Sequence, residues 1–292
     1  MSDPTPTIDA ALVEALIHEQ FSQFSHLPLA AIDGGWDHRS FRLGADLSVR
    51  LPSAEPYAAQ VEREHRWLPF LATHLDIPIP HPVALGAPSP IFPWRWAIRT
   101  WLAGVPASGE PLGESITFAT DVGQFLRRLQ TVALQAGITP GDDNFHRGGP
   151  LSHYADEAAA ALTHFSDPIA RRRCESVLAQ ALASADLTSP CWLHGDLLPG
   201  NLLVARDRLV GVIDFGLMAV GDPACDLMIA WSYFKGGARA AFFDAAGADR
   251  AMIARGRGWA LWKAVIIIAG VTPRPPAEIA WARAMLDAVL AA

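Results

Sequence analysis

The run His194, Gly195, Asp196, Leu197, Leu198, Pro199, Gly200, Asn201 is followed thirteen residues after Asn201 by Asp214, Phe215 and Gly216. Between the two lie a short apolar run at 202–204, a polar turn at Arg206 and Asp207, and a second apolar run at 209–213. That pattern predicts two short strands folded back on each other. The hairpin brings Asn201, at the foot of the first strand, near Asp214, at the end of the second. An amide oxygen and a carboxylate oxygen converging in this way are hard donors suited to magnesium, which prefers oxygen and normally arrives with phosphates. Asp196 lies just ahead of the hairpin, within reach of the same space.

These residue types in this order point to phosphoryl transfer, in which a hydroxyl, a magnesium ion and a triphosphate must be held in one line. Asp196 is the candidate catalytic residue, orienting the acceptor hydroxyl and taking its proton late in the transfer. Asn201 and Asp214 are the candidate metal ligands. His194, at the head of the loop, is expected to fix backbone rather than to carry protons. A reading from another class is a nucleotide-binding regulator that does not transfer phosphate. The intact Asp196, Asn201 and Asp214 argue against it, because binding alone requires no base.

The chain has 292 residues, 51% hydrophobic and 18% charged, enough for a full core and for division into two lobes. That composition describes an ordered protein. A net charge of −7 argues against nucleic acid as a partner, which calls for a basic stripe. The basic cluster Arg171, Arg172, Arg173 reads as a solvated helix face. The most apolar patch, 264–271, is too short to span a bilayer and is expected to be a buried helix, so no membrane partner is expected. The start Met1, Ser2, Asp3, Pro4 carries neither a basic region nor an apolar signal core, which predicts a cytoplasmic location. Cys174, Cys191 and Cys225 offer no disulfide framework or metal-site spacing and are expected as buried thiols.

Toward the N-terminus, Val13, Ile17, Phe21 and Phe24 share one face of a helix expected to pack on a sheet. Strand-like runs at 29–32, 40–43 and 47–51, joined by Gly34-Gly35 and Gly44-Ala45-Asp46, predict an antiparallel nucleotide-covering sheet. The loop 33–39 lacks a G-x-G-x-x-G pattern. Ser40, or backbone amides beside it, is a candidate for touching phosphate, with a plain hairpin turn as the alternative. Strand alternation places Ser48 and Arg50 on one face and Leu47, Val49 and Leu51 on the other. A small residue followed two positions later by a cation suits an adenine ring and its phosphates. Glu62 and Glu64, on the next helix, both qualify as partners for Arg50, and Pro69 is a candidate kink in that helix. Residues 94–102 read as a strand with Ala103-Gly104 as its exit, which places a hinge at 99–104. Residues 121–130 have a helical pattern, and the rest of the second lobe is expected to be mostly helical.

The segment 192–231, including Gly221, Asp222, Pro223, Ala224, Cys225, Asp226 and Leu227, resembles the aminoglycoside phosphotransferase family of antibiotic kinases and their relatives, and the match extends weakly across most of the chain. The resemblance implies an α+β, two-lobed protein-kinase-like fold, with a small antiparallel-sheet N-lobe at 1–102 and a larger, mostly helical C-lobe at 103–292. It implies ATP, or GTP in its place, together with magnesium. It makes Asp196 the base, Asn201 and Asp214 the magnesium ligands, and Asp226 the brace of the catalytic loop. The hinge backbone at Arg99 and Trp101 would read the adenine edge, and the spacing of Glu64 from Leu68 and Leu71 matches the family's partner for the strand cation. That cation is usually Lys in the family; Arg50 keeps the charge on a wider planar fork, which alters the phosphate geometry.

From Leu227 onward the acids are Asp244, Asp249, Glu278 and Asp287, against Lys235, Arg239, Arg250, Arg255, Arg257, Lys263, Arg274 and Arg283. That balance disfavours a strongly cationic acceptor, although Asp142, Asp143, Asp156 and Glu157 remain as possible acidic contacts. Trp231, Tyr233, Phe234, Trp259, Trp262 and Trp281 are expected to be mostly core, with a minority lining a pocket for a macrolide or another bulky neutral alcohol. The expected function is ATP- and magnesium-dependent phosphorylation of a hydroxyl on a small-molecule acceptor, an antibiotic or antibiotic-like natural product. The alternative is a metabolic kinase acting on a sugar, amino alcohol or homoserine-like substrate.

Overall fold

The computed structural model describes residues 6–134, 138–184 and 189–291. Residues 1–4, read above for a leader, lie outside the described residues. The chain divides into one unit of Met1–Ala103 with Gly211–Gly216 and a second of Gly104–Val210 with Leu217–Ala292. The segment carrying Asp214 thus clusters with the first unit, although sequence order placed it in the second lobe.

The first unit opens with helix α1 (Ala10–Gln20), whose N-terminus is capped by Asp9 accepting the Leu12 N–H at 2.9 Å. Val13, Leu16 and Ile17 bury one face of α1, and Phe21 and Phe24, just beyond the helix, pack on the same core. Strands β1 (Leu29–Ile32), β2 (His38–Leu43) and β3 (Leu47–Pro52) follow, then helix α2 (Ala58–Ala72), β4 (Pro82–Gly86) and β5 (Trp96–Thr100). They form a five-stranded antiparallel sheet in the order β1-β2-β3-β5-β4. Phe41, Val49, Leu51, Trp96 and Ile98 belong to the core with α1. Alternation puts Ser48 and Arg50 on the other face, and both are buried there too. Pro69 sits inside α2 without ending it. Gly86 has no substitute, because a Cβ there would lie 2.1 Å from the Trp96 ring.

In the second unit, β6 (Val105–Pro106) leads to helix α3 (Ile116–Gln130), which starts five residues before the helical pattern at Asp121 because the Ser115 side chain accepts the Phe118 N–H and caps it there. Helices α4 (Ala155–Leu162) and α5 (Pro168–Ala183) precede β7 (Cys191–Leu193), β8 (Leu202–Ala205), β9 (Arg208–Val212), whose last two residues fall in the first unit, and β10 (Ala219–Gly221). Strand β7 pairs with β10, and β6, β8 and β9 form a second small sheet. The β8–β9 turn is tight because Arg206 and Asp207 both adopt positive φ, 50° and 59°, the pattern of a two-residue hairpin that follows strand twist. Helices α6 (Ile229–Ser232), α7 (Gly236–Ala246), α8 (Arg250–Ile268) and α9 (Pro276–Ala291) complete the unit.

The apolar patch at 264–271 is buried only in part. Helix α8 ends at Ile268, Gly270 turns the chain with φ 70°, and Val271 is 58% exposed. No described helix is long and apolar enough to cross a membrane. Trp231, Phe234, Trp259 and Trp262 are buried as core aromatics. Cys174 and Cys225 are buried and Cys191 is half-buried, all as free thiols, and burial pushes Cys174 up to about 11 and Cys191 up to about 12.

Candidate active site

In the first unit, β3 points Arg50 toward α2, where Glu64 meets it. Arg50 Nη1 donates to Glu64 Oε1 at 3.0 Å and to Oε2 at 3.2 Å. Glu62, the other acid considered from sequence, pairs instead with Arg95 at 2.7 Å in an exposed position. Arg99 also donates to both Glu64 oxygens, each at 3.0 Å, so its side chain joins a cluster that the sequence reading approached only through its backbone. The register Ser48↔Arg99 across β3 and β5 places it there. Arg50 Nη2 donates to Asp214 Oδ1 and lies 2.9 Å from His38 Nδ1.

Two guanidiniums thus face two carboxylates with His38 beside them. Burial, reinforced by Arg50, holds the His38 pKa well below its ordinary value, so the ring is neutral and the buried cluster carries no net charge. For Asp214, burial alone would raise the pKa, but Arg50 outweighs it and holds the carboxyl below its ordinary range. Burial would likewise lower Arg50, yet Asp214 and Glu64 raise it. Each partner thereby favours the charged form of the other.

Helix α2 also fixes the segment that carries Asp214. Glu64 Oε1 accepts the Phe215 N–H at 3.0 Å, and Arg63 Nη1 donates to the Gly216 carbonyl at 2.8 Å. Asp214 itself sits at φ 66°, a left-handed conformation that Asp tolerates better than most side chains and that surrounding contacts must maintain. Ser48 is buried across from Arg99, and Ser40 lies opposite Arg50 on β2. The Trp101 N–H donates to the Asp46 carbonyl at 2.7 Å, and its ring is stacked by the Arg42 guanidinium at 4.0 Å. That amide, expected at the adenine edge, is engaged within the unit.

In the second unit, β7 delivers the chain to the His194 loop. Asp226, 1% exposed, accepts the His194 N–H at 2.7 Å and the Gly195 N–H at 2.8 Å. His194 Nδ1 in turn accepts the Asp196 N–H at 3.2 Å, so this histidine fixes backbone as expected. Gly195 adopts φ 85° with the position of a Cβ only 2.3 Å from the Leu217 carbonyl, and any side chain would force the loop apart. Asn201 Nδ2 donates to the Asp196 carbonyl at 2.9 Å and to its Oδ2 at 3.2 Å. Asp196 and Asn201 are therefore locked together, and the Asn201 Oδ1 takes no part in that lock.

The brace extends outward. Asp222 takes Arg255 through two bonds, of 2.6 and 3.1 Å, and its own N–H donates to the Gly148 carbonyl at 2.7 Å. Asn144, missed in the sequence, accepts the Gly141 N–H at 2.9 Å and donates to the Leu217 carbonyl at 3.2 Å. Lys263 was counted only within the basic excess of the tail. Its pKa is lowered to about 8, first by burial and then by Arg147, while Asp196 pulls in the opposite direction.

The profile of the phosphotransferase enzyme family matches residues 28–262. The homoserine kinase of Methylocella silvestris is 30% identical over 251 residues, spanning 80% of this chain and 73% of that protein. Among solved structures, the GDP and kanamycin complex of APH(2")-IIia matches with a TM-score of 0.74 at 19% identity, covering 96% of this chain and 98% of that one. The macrolide 2'-phosphotransferase of Brachybacterium faecium gives 0.64 at 23% identity, covering 96% and 97%. These structures share the two-lobed, kinase-like α+β fold. With its profile, relative and fold in agreement, the chain belongs to the phosphotransferase enzyme family, the aminoglycoside phosphotransferases and their relatives, and is a small-molecule kinase.

Proposed function

We propose that the protein transfers the γ-phosphoryl group of ATP, or of GTP in its place, to a hydroxyl of a small-molecule acceptor. The observation that carries this reading is the loop in which Asp226, His194 and Asn201 all act to fix Asp196. Asp196 accepts a hydrogen bond from the acceptor hydroxyl and takes its proton as the oxygen–phosphorus bond forms. The bond between the γ-phosphorus and the β–γ bridging oxygen breaks, and the nucleoside diphosphate leaves with that oxygen.

Asn201 and Asp214 are the proposed magnesium ligands, and the donor chemistry fits a hard cation. Asn201 presents an amide oxygen outside its lock on Asp196, and Arg50 keeps Asp214 ionised. When bound, magnesium would neutralise charge on the phosphates and the leaving oxygen. Arg50, steadied by Glu64, positions the triphosphate. Ser48 lines the nucleotide-facing side of β3, and Ser40 or amides beside it meet phosphate. The hinge reads the adenine edge through backbone at 99–104, with the Trp101 contribution confined to its carbonyl.

Two acceptor classes have separate support. An antibiotic-like natural product is favoured by the structural relatives, one holding kanamycin and one a macrolide phosphotransferase. A metabolic hydroxy compound is favoured by the homoserine kinase relative. The test is nucleoside diphosphate release measured over aminoglycosides, macrolides, sugars and amino alcohols, with Asp196→Ala as control. Transfer to an acceptor, lost in the variant, is the expected result; nucleotide binding without transfer to any acceptor contradicts the reading.

A further inference from the structure

Three buried or half-buried cations of the second unit meet an acid: Arg171 meets Glu175, Arg255 meets Asp222, and Arg274 meets Glu278. Arg239 and Arg257 donate instead to the Phe234 and Val289 carbonyls, and Arg147 and Lys263 are left without either kind of partner among the described residues. Among the described residues no carboxylate lies within ion-pair distance of Arg147 or Lys263. Arg147 is 6% exposed, its Nε is buried without a hydrogen-bond partner, and its guanidinium lies 5.3 Å from the Trp259 ring and 5.0 Å from that of Trp262. Lys263, next along α8, holds its ammonium 6.0 Å from the same Trp262 ring. That ring is fixed by stacking on Tyr154 at 4.1 Å and by donating its N–H to Glu157 at 2.7 Å.

The loop bearing Arg147 is anchored beside the catalytic loop. The Gly148 carbonyl accepts the Asp222 N–H, and a Cβ on Gly148 would lie 2.3 Å from Leu193, the residue before His194. Lys263 senses the charges of both Arg147 and Asp196. Cations removed from water without a counterion are costly, and such an arrangement persists where a ligand supplies the missing charge.

We infer that Arg147 and Lys263 form an anion subsite beside Asp196, and that the acceptor is a hydroxy acid or hydroxy-amino acid whose carboxylate binds there while its hydroxyl reaches Asp196. The inference rests on the kinase reading and narrows its acceptor. A planar guanidinium matches a carboxylate through two parallel hydrogen bonds, and the ammonium adds a point charge. A polycationic aminoglycoside would meet like charge at this wall.

The test uses the full chain with ATP and magnesium and a series of hydroxy acids and hydroxy-amino acids, each against its own methyl ester, with a neutral sugar and kanamycin alongside. The acid is expected to show a KM at least tenfold below that of its ester. Lys263→Met should raise the acid KM about tenfold, leave the KM for ATP and for the ester within twofold, and be largely rescued by Lys263→Arg. Equal use of acid and ester, or transfer only to the sugar or kanamycin, overturns the inference while the kinase reading stands. Transfer to no acceptor contradicts the kinase reading. The subsite is then judged by calorimetric titration of the same hydroxy acids: binding lost in Lys263→Met supports it, and no binding to wild type overturns it. Arg147→Met, checked for folding by circular dichroism, should match Lys263→Met in direction; an unchanged acid KM in both folded variants also overturns it.

Discussion

Around Glu64 in the first unit, two guanidiniums face two carboxylates and a neutral imidazole; around Asp196 in the second, Asp226 is held by two backbone N–H groups, Asp196 by the Asn201 amide, and two nearby cations have no ion-pair partner among the described residues. Each region has a buried centre, Arg50 and Glu64 in the first and Asp226 and Arg147 in the second, with half-buried groups around it. A closed ion cluster is rigid and neutral before any ligand arrives, which suits a platform for a triphosphate. An open arrangement, in which charge awaits a complement, suits the part that must choose its acceptor. In the proposed reading, the first region positions the nucleotide and the second selects the acceptor.

The largest expected effect comes from opening the closed cluster. Arg50→Met leaves Glu64 sharing Arg99 alone and Asp214 without its guanidinium, and should cost about 3–5 kcal/mol of stability, read from denaturant unfolding. Removing the brace should cost less. Asp226→Ala strands the His194 and Gly195 N–H groups in a buried site but also removes a carboxylate that burial disfavours, so the net cost is about 1–3 kcal/mol, and it should lower kcat more than it raises the KM for ATP.

The same two acids should respond oppositely to pH. Asp214 has its folded pKa held below 3.8, so its contribution is present above that pH and is lost as pH falls beneath it. Burial raises Asp226 above 3.8, with the backbone bonds opposing, so its ionisation costs stability as pH climbs through that raised value. Melting curves of Asp214→Asn should therefore lie below wild type at neutral pH and converge on it in acid. A constant gap down to pH 2 would contradict the pairing with Arg50.

A smaller effect of opposite sign is expected at Lys263. Its pKa is lowered from 10.5 to about 8, so wild type gains stability as pH rises between those values, because the unfolded chain then holds more protons than the folded one. Lys263→Met should raise Tm at neutral pH by a few degrees and flatten that alkaline rise, even while acceptor binding suffers. The groups that face Lys263 in this titration are Arg147, Asp196, Arg274 and Glu278. The smallest effect belongs to Glu62→Gln, which breaks an exposed pair with Arg95 and should change stability by less than about 0.5 kcal/mol.

What could be read from the chain without its structure was chemistry contained in short stretches. Asp196 with Asn201 and the hairpin around Arg206 and Asp207 are set by local spacing, whereas the preference for Glu64 over Glu62 as the partner of Arg50 came from the family resemblance. Arg99 was assigned to backbone recognition because its reach to Glu64 depends on cross-strand register and on the docking of α2, neither of which leaves a local pattern. Arg147 and Lys263 lie far apart in sequence, and each alone is an ordinary surface-type cation; only packing on Trp262 reveals their relation. Element ends were also hidden, as at Ser115, whose capping bond depends on a backbone turn, and at Gly270, where a single left-handed residue closes α8's apolar run.

The most direct test of the central claim is single-turnover phosphoryl transfer from γ-labelled ATP to the best acceptor, comparing wild type with Asp196→Asn. Asparagine preserves the size of the side chain and its bonding to Asn201 but removes the proton acceptor. A fall in the transfer rate on the order of 10²–10⁴, with nucleotide affinity unchanged within about threefold, is the predicted result. A transfer rate within about tenfold of wild type would contradict the assignment of Asp196 as the base.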